Sequence, residues 1–251
     1  MIKRERLETI IQILKHKQLA TVGELARDMR VSKMTIRRDL DELSAANQII
    51  RVHGGARYVN DASAIEINYE EKREIHIAEK KEVAKKAGAL IEDGSTVYVG
   101  PGTTLEFMVT NLKQSHLRIV TNSLPVFNAA RANVNNYDLI LIGGVYRRKS
   151  GAFIGAIANK DIRALTYDCS FVGVNGLINS SMMTANMEEG LTQAEAMNRS
   201  KKRFVVTDRF KLNKSDFYDF YSLRDVDQLI TNKDISQAEI DKYSQYTKLN
   251  I

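Results

Sequence analysis

From Thr96 onward the chain repeats one pattern: a short apolar run, a tip of glycine or small polar residues, then a helical stretch. The apolar runs are Thr96–Val99, Leu117–Thr121, Leu139–Ile142, Ser170–Val174 and Phe204–Thr207, with a later one at Gln228–Thr231. Strands that alternate with helices are joined by crossovers, and crossovers bring strands back in the same direction. The pattern predicts an α/β domain with a mainly parallel sheet. The tips are Gly100-Pro-Gly102-Thr103-Thr104, Asn122-Ser123, Gly143-Gly144, Asn175-Gly176 and Asp208-Arg-Phe-Lys211. Ligands of open α/β sheets bind outside the carboxyl ends of the strands, so these five tips are expected to converge on one site.

The tip at Gly100 has the parts of an anion cradle. Gly102 lets backbone amides approach closely, the helix that follows presents free N–H groups, and Thr103 and Thr104 add hydroxyls. The loop lacks the lysine of a nucleotide-binding P-loop and the glycine spacing of a dinucleotide fingerprint. A phosphate group fits it better than a nucleotide; the competing reading is a plain strand-to-helix turn.

The chain of 251 residues has a formal net charge of +6, and that charge is unevenly placed. Residues 1–57 hold 12 Lys/Arg and 7 Asp/Glu, the remainder 25 and 24. A surplus confined to one end suggests an anionic polymer as partner for that end. Within it, Leu7, Ile10, Ile13 and Leu14 mark one helix over Lys3–His16, and Val22–Met29 marks a second, capped by Thr21. After Arg30-Val31, Ser32 caps a third helix whose Ile36, Leu40 and Leu43 form one apolar stripe. At roughly 100° per residue, Met34, Arg38 and Asp41 fall opposite that stripe, with Lys33, Thr35 and Arg37 on its flanks. Two helices joined by so short a turn make a helix-turn-helix, the later helix being the reader of the major groove. Ile49-Ile-Arg-Val-His-Gly-Gly-Ala-Arg57 then reads as strand, two-glycine turn and return strand, which completes a winged helix.

Val31-Ser-x-x-Thr-Ile-Arg-Arg-Asp-Leu-x-x-Leu43, followed by Ile50-Arg-Val-His-Gly-Gly-Ala56, resembles the signature of the DeoR family of bacterial transcription repressors. The resemblance covers roughly Lys3 to Ile230. It implies binding of double-stranded operator DNA through Ser32, Lys33, Thr35, Arg37 and Arg38, with Arg57 supporting from the wing. It also implies an effector domain related in fold to ribose-phosphate and glucosamine-phosphate isomerases. Met183-Thr-Ala-Asn186, Gly190-Leu-Thr-Gln193 and Asp216-Phe-Tyr-Asp-Phe-Tyr-Ser-Leu223 are most similar to the lactose phosphotransferase-system subgroup. Most of the family carries Glu-Ala-x-x-Lys where this chain has Glu189-Gly-Leu-Thr-Gln193, so effector identity does not transfer from the wider family. The subgroup implies a phosphorylated sugar as inducer, with tagatose 6-phosphate in view.

The expected organisation is a winged helix-turn-helix over residues 1–59, a linker and connecting helix over 60–92, and a phosphosugar-sensing α/β domain over 93–251. Asn60–Asn68 is polar and rich in small residues. Tyr69–Ile91 reads as a charged helix with a weak apolar face of Ile77, Val83, Ala84 and Ala87. Effector contacts are expected from Gly100, Gly102, Thr103, Thr104, Asn122, Ser123, Gly143, Gly144, Asn175, Gly176, Asp208 and Lys211. The alternative function is a sugar-phosphate isomerase with a fused DNA-binding head. It needs a carboxylate or histidine base beside the substrate carbon; the acids at the tips are Asp208, Glu188 and Glu189. His16, His53, His76 and His116 are expected to lie away from the tips. No Cys/His group has metal spacing and no Gly-x-Ser-x-Gly elbow occurs, so neither metal, cofactor nor catalytic residue is expected. The single Cys169, the charged N-terminus and the lack of a bilayer-length apolar run lead to the expectation of a cytoplasmic protein. A homo-oligomer on paired half-sites is expected, because one such domain covers too little DNA for tight binding.

Overall fold

The computed structural model describes residues 2–17, 19–45, 48–52, 54–58, 66–133, 135 and 137–251. They form two compact units, Met1–Ile75 and His76–Ile251. Most of the expected linker (residues 60–65) and His53 of the wing turn lie outside the described residues.

The first unit runs α1 (Lys3–Lys17), β1 (Leu19–Thr21), α2 (Val22–Asp28), α3 (Lys33–Ala45), β2 (Ile49–Val52), β3 (Gly55–Tyr58) and α4 (Tyr69–Arg73). Thr21 and Glu24 form a reciprocal capping box that starts α2. Ser32 Oγ accepts the Thr35 amide at 3.1 Å and starts α3. Ile10, Leu14, Leu25, Ile36, Leu40 and Ala56 are fully buried together; each large side chain among them contributes about 1.5–3 kcal/mol by leaving water. The wing has a third strand that periodicity did not reveal. β1, β3 and β2 form an antiparallel sheet in that order, and three residues are too few to show alternation. The two wing glycines have separate reasons. Gly54 takes φ +74 in the turn, whereas a Cβ on Gly55 would lie 2.3 Å from the Ala20 carbonyl oxygen of β1.

The stretch read as one helix over Tyr69–Ile91 is two. α4 ends before His76, whose left-handed φ of 54 breaks the helical path, and α5 (Ile77–Gly88) follows. Val83, Ala84 and Ala87 are buried in the core of the second unit, while Ile77 is 36% exposed. α5 thus belongs to the body of the second unit rather than to a free connection.

The second unit continues β4 (Thr96–Val99), α6 (Thr103–Thr110), β5 (Arg118–Thr121), α7 (Leu124–Arg131), β6 (Asp138–Leu141), β7 (Val145–Arg147), β8 (Ala152–Ile154), α8 (Ala156–Ala164), β9 (Tyr167–Val172), β10 (Gly176–Ile178), β11 (Ser181–Thr184), α9 (Met187–Asn198), β12 (Ser200–Val206), β13 (Tyr218–Ser222), β14 (Gln228–Ile230), α10 (Gln237–Tyr243) and β15 (Lys248–Asn250). Seven of these strands form one sheet in the order β15-β14-β12-β9-β4-β5-β6, and all six pairings are parallel. Successive side chains alternate faces: Val97 and Val99 pack with α5, α6 and α7, while Tyr98 packs with α8, α9 and α10. Burial on both faces explains why the strands read as continuous apolar runs. A small antiparallel sheet, β10-β11-β13, and the hairpin β7-β8 complete the unit.

Two close fits define this body. A Cβ on Gly190 in α9 would sit 2.7 Å from Phe220 Cβ and 2.9 Å from the Tyr218 ring, so α9 lies tight on β13 where an alanine would not fit. Gly190→Ala is expected to destabilise the second unit by about 1–3 kcal/mol through overpacking, read as a lower denaturant midpoint with unchanged slope. Beside β14, Glu82 of α5 accepts from Lys86, Asn232 and the Lys233 amide. These contacts, Lys86 first, hold its carboxyl down to about 2. A depressed carboxylate stabilises the fold above its unfolded value and loses that effect as pH falls through the folded value. Unfolding curves at stepped pH should therefore show Glu82→Gln weaker than wild type near pH 7, with the difference closing between about pH 4.5 and 2.

Candidate DNA-binding surface and effector site

On α3 the expected apolar stripe Ile36, Leu40 and Leu43 is buried, and Lys33, Met34, Arg37, Arg38 and Asp41 are exposed. The acidic residues of the helix are engaged within the unit. Asp39, which is buried, takes a two-pronged ion pair from Arg6 Nε and Nη2, the second at 2.9 Å. Asp41 meets Arg51 at 3.3 Å and Glu42 meets Lys3 at 2.6 Å. Among the described residues Lys33, Arg37 and Arg38 have no such partner. Ser32 and Thr35 are tied to each other at the exposed cap, their hydroxyl oxygens 2.9 Å apart. Arg57 sits mid-strand in β3, paired in register with Leu19 and Ile50. It is not at the wing turn, and its Nε is enclosed without a partner.

In the second unit the chain lays down β4 first, moves outward to β5 and β6, and returns to place β9 on the other side of β4. The reversal lies between the carboxyl ends of β4 and β9, the place where an open α/β sheet leaves a crevice. Gly100 donates its amide to the Phe171 carbonyl at 2.9 Å, tying the two tips. The position a Cβ would take on Gly173 is 3.5 Å from the Pro101 carbonyl oxygen and 4.0 Å from that of Val206, which places the β12 tip alongside. α6 begins at Gly102, φ 147, with no side chain to cap it. Its first-turn amides thus have no side-chain acceptor, and the helix dipole adds positive character there. Among the described residues the Thr103 and Thr104 hydroxyls have no hydrogen-bond partner.

At the β12 tip Asp208 is buried and its Oδ1 accepts the Phe210 amide at 3.0 Å, so it caps the short turn Arg209–Lys211. Lys211 and Lys214 follow, and neither ammonium pairs with a described residue. Burial, then the charge of Lys211, pulls the Lys214 ammonium down to about 8 against the pull of Asp208. His76 stacks on Phe210, ring centroids 3.7 Å apart. This corrects the expectation that His76 lies away from the tips: α5 packs against the β12 side of the sheet and carries its N-cap residue there. Burial lowers the His76 pKa, opposed by Asp208 and Glu79.

The five tips share one end of the sheet without equal access. Asn122 is buried, its amide held between the Tyr98 hydroxyl and the Phe153 carbonyl, both at 2.8 Å. Ser123 is buried and caps α7. A Cβ on Gly144 would lie 2.7 Å from the Ile154 carbonyl oxygen, so that glycine admits the β7-β8 hairpin; Gly143 has open space around it. Gly176 passes within 2.4 Å, as a Cβ would measure it, of the Lys214 carbonyl oxygen, and the Asn175 amide donates to Met183. Glu189 is buried and meets Arg147 at 3.2 Å. Two side chains that the sequence-based site omits lie beside these tips. Lys214 extends the spacing Asp208-x-x-Lys211-x-x-Lys214. Gln193 is only 4% exposed. Its unpartnered Oε1 lies 3.5 Å from the point a Cβ on Gly100 would occupy. Among the described residues no group of three His, Cys, Asp or Glu side chains could hold a metal ion. No helix there is long and apolar enough to cross a membrane.

Residues 6–62 match the DeoR-like helix-turn-helix domain and residues 75–233 the DeoR C terminal sensor domain. The chain is 38% identical over 252 residues to the lactose phosphotransferase system repressor of Lactococcus lactis subsp. lactis, covering 99% of this chain and 98% of that one. It is 35% identical over 250 residues to the repressor of the same name from Streptococcus mutans, covering 99% of each. Looser likenesses exist among solved structures. Ribose 5-phosphate isomerase A of Methanocaldococcus jannaschii is 15% identical, with a TM-score of 0.39 and 53% of each chain covered. The probable sor operon regulator of Shigella flexneri is 12% identical, with a TM-score of 0.39 over 71% of this chain and 92% of that one. A helix-turn-helix unit and a parallel α/β sensor unit, matched by both family models and by relatives along the whole chain, make this protein a member of the DeoR family.

Proposed function

We propose that the chain is a cytoplasmic repressor of a sugar-utilisation operon, released from its operator by a phosphorylated sugar. The names of its relatives point to lactose or galactose use, and tagatose 6-phosphate is the effector to test first. α3 enters the major groove with Lys33, Arg37 and Arg38 outward, and two or more copies occupy paired half-sites. The observation that carries the sensor reading is the glycine start of α6 at the strand reversal. Its free amides, Thr103 and Thr104 face a crevice whose neighbouring tip supplies Lys211 and Lys214. Free amides, hydroxyls and unpaired ammonium groups suit a phosphate. Ser32 is assigned to the cap, and Asn122 and Ser123 to the fold.

Binding is favoured over catalysis by the relatives, which are named as repressors, and by the engagement of two of the three acids at the tips, all but Glu188. Glu189 is neutralised by Arg147, and Asp208 is taken up by a backbone amide. A base for aldose–ketose isomerisation needs a free carboxylate or imidazole within reach of the substrate carbon.

Tagatose 6-phosphate at a hundred times its Kd should stabilise the folded chain by about 2.7 kcal/mol, seen as a higher melting temperature. Thr104→Val keeps volume and removes a hydroxyl. It should weaken that response while leaving operator affinity near wild type. A flat thermal response across a broad phosphosugar panel would overturn the sensor reading. Arg38→Ala should weaken specific operator binding by about 1–3 kcal/mol if it reads a base, or lower the salt slope by about one if it holds a phosphate. Anisotropy titrations at several salt concentrations separate the two.

A further inference from the structure

We propose that Met34 reads the 5-methyl group of a thymine in the major groove. The proposal rests on α3 being the groove helix. The outward face of that helix is narrower than its sequence suggests. Asp39, Asp41 and Glu42 are paired within the unit, and the hydroxyls of Ser32 and Thr35 bond each other at the cap. Lys33, Met34, Arg37 and Arg38 remain. Met34 is 56% exposed and lies opposite the buried Ile36–Leu40–Leu43 line, one turn ahead of Arg38 and in the first turn of the helix. The N-terminal residues of a reader helix are the ones that meet base edges.

A thioether offers no hydrogen-bond donor and only a weak acceptor, so phosphates and most base edges give it nothing. The thymine methyl is the apolar group that the major groove presents. Methionine, unbranched and polarizable, adapts to such a target. The three cations around it serve phosphates and guanine edges. Each half-site is therefore expected to contain one thymine whose methyl group contributes to affinity.

The test uses the full-length chain and an operator selected from random duplexes and footprinted. Each thymine in the footprint is replaced singly by deoxyuridine, which removes only the methyl, and Kd is measured at fixed salt. Wild type should lose about fourfold at one thymine per half-site, the effect of one methyl-sized group returned to water. Met34→Ala should bind the thymine and uracil duplexes alike, with an unchanged salt slope, and Met34→Leu should keep the thymine preference. Should Met34→Ala bind too weakly, the same comparison is read at lower salt, where phosphate contacts raise affinity. Wild type indifferent to every deoxyuridine, or a methyl dependence that survives in Met34→Ala, overturns the proposal. If Arg37→Ala, Arg38→Ala and Met34→Ala all leave Kd unchanged, the assignment of α3 to the groove fails as well.

Discussion

The second unit depends on the placement of β4 in the interior of a parallel sheet, with strands on both sides. A parallel sheet is buried on both faces and puts every strand's carboxyl end on one side. With β5 and β6 laid to one side and β9, β12, β14 and β15 to the other, the connections leaving β4 and β9 depart to opposite faces. α6 packs on one face and α9 on the other. The gap between them is the crevice. The Phe171 carbonyl and the Gln193 amide oxygen border Gly100 there, 3.4 and 3.5 Å from where a Cβ would lie, and Gly102 is left as the start of a helix with no side-chain cap. The same topology that builds the core thus leaves the first turn of α6 without a side-chain cap at the edge of that gap.

Local chemistry made much of this legible. The Ser32 cap, the Ile36–Leu40–Leu43 stripe, the capping box at Thr21 and six of the seven sheet strands all follow from patterns a few residues long. What escaped was set by distant partners. β1 and β15 have three residues each and are strands only through pairing with β3 and β14. The buried partners of Asn122, Tyr98 and Phe153, come from other parts of the chain and were not legible from its local sequence. His76 looked remote from the tips for the same reason, since only the packing of α5 on the sheet brings it onto Phe210. Asn122, Ser123 and Gly144 share the end of the sheet with the crevice and each also makes close contacts within the fold. Position at a strand tip is necessary for a site and does not by itself supply one.

The reader helix teaches a related point about charge. Lys33, Arg37 and Arg38 are balanced in number by Asp39, Asp41 and Glu42, so the helix is formally neutral. Geometry separates the signs. Each acid faces a cation elsewhere in the unit, from Arg6, Arg51 and Lys3, and the basic residues are left outward. The exposed pairs contribute little stability, whereas the buried Arg6–Asp39 pair fixes α1 against α3 and leaves no lone carboxylate in the core. The positive face proposed to meet DNA thus arises from where the acids go, not from an excess of bases along the helix.

The polypeptide enters the sensor unit at His76, whose backbone is left-handed and whose ring rests on Phe210. Phe210 lies in the turn between Asp208 and Lys211, and Arg209 in the same turn is joined to Asn232 and Glu79. Asn232 and Lys233 in turn hold α5 through Glu79 and Glu82. On the proposed reading, a phosphate that draws Lys211 and Lys214 toward α6 acts on the turn that supports the first residue of the unit. A ligand shifts such an arrangement only by its difference in affinity for the two states. Moving a population from 1:99 to 99:1 requires a difference of about ten-thousandfold, roughly 5.5 kcal/mol. A phosphate held by free amides, two hydroxyls and two ammonium groups has charge-assisted hydrogen bonds worth about 1.5–3 kcal/mol each. Two or three of them made in one state and not in the other would reach that figure, so the switch needs no contact beyond those around the crevice.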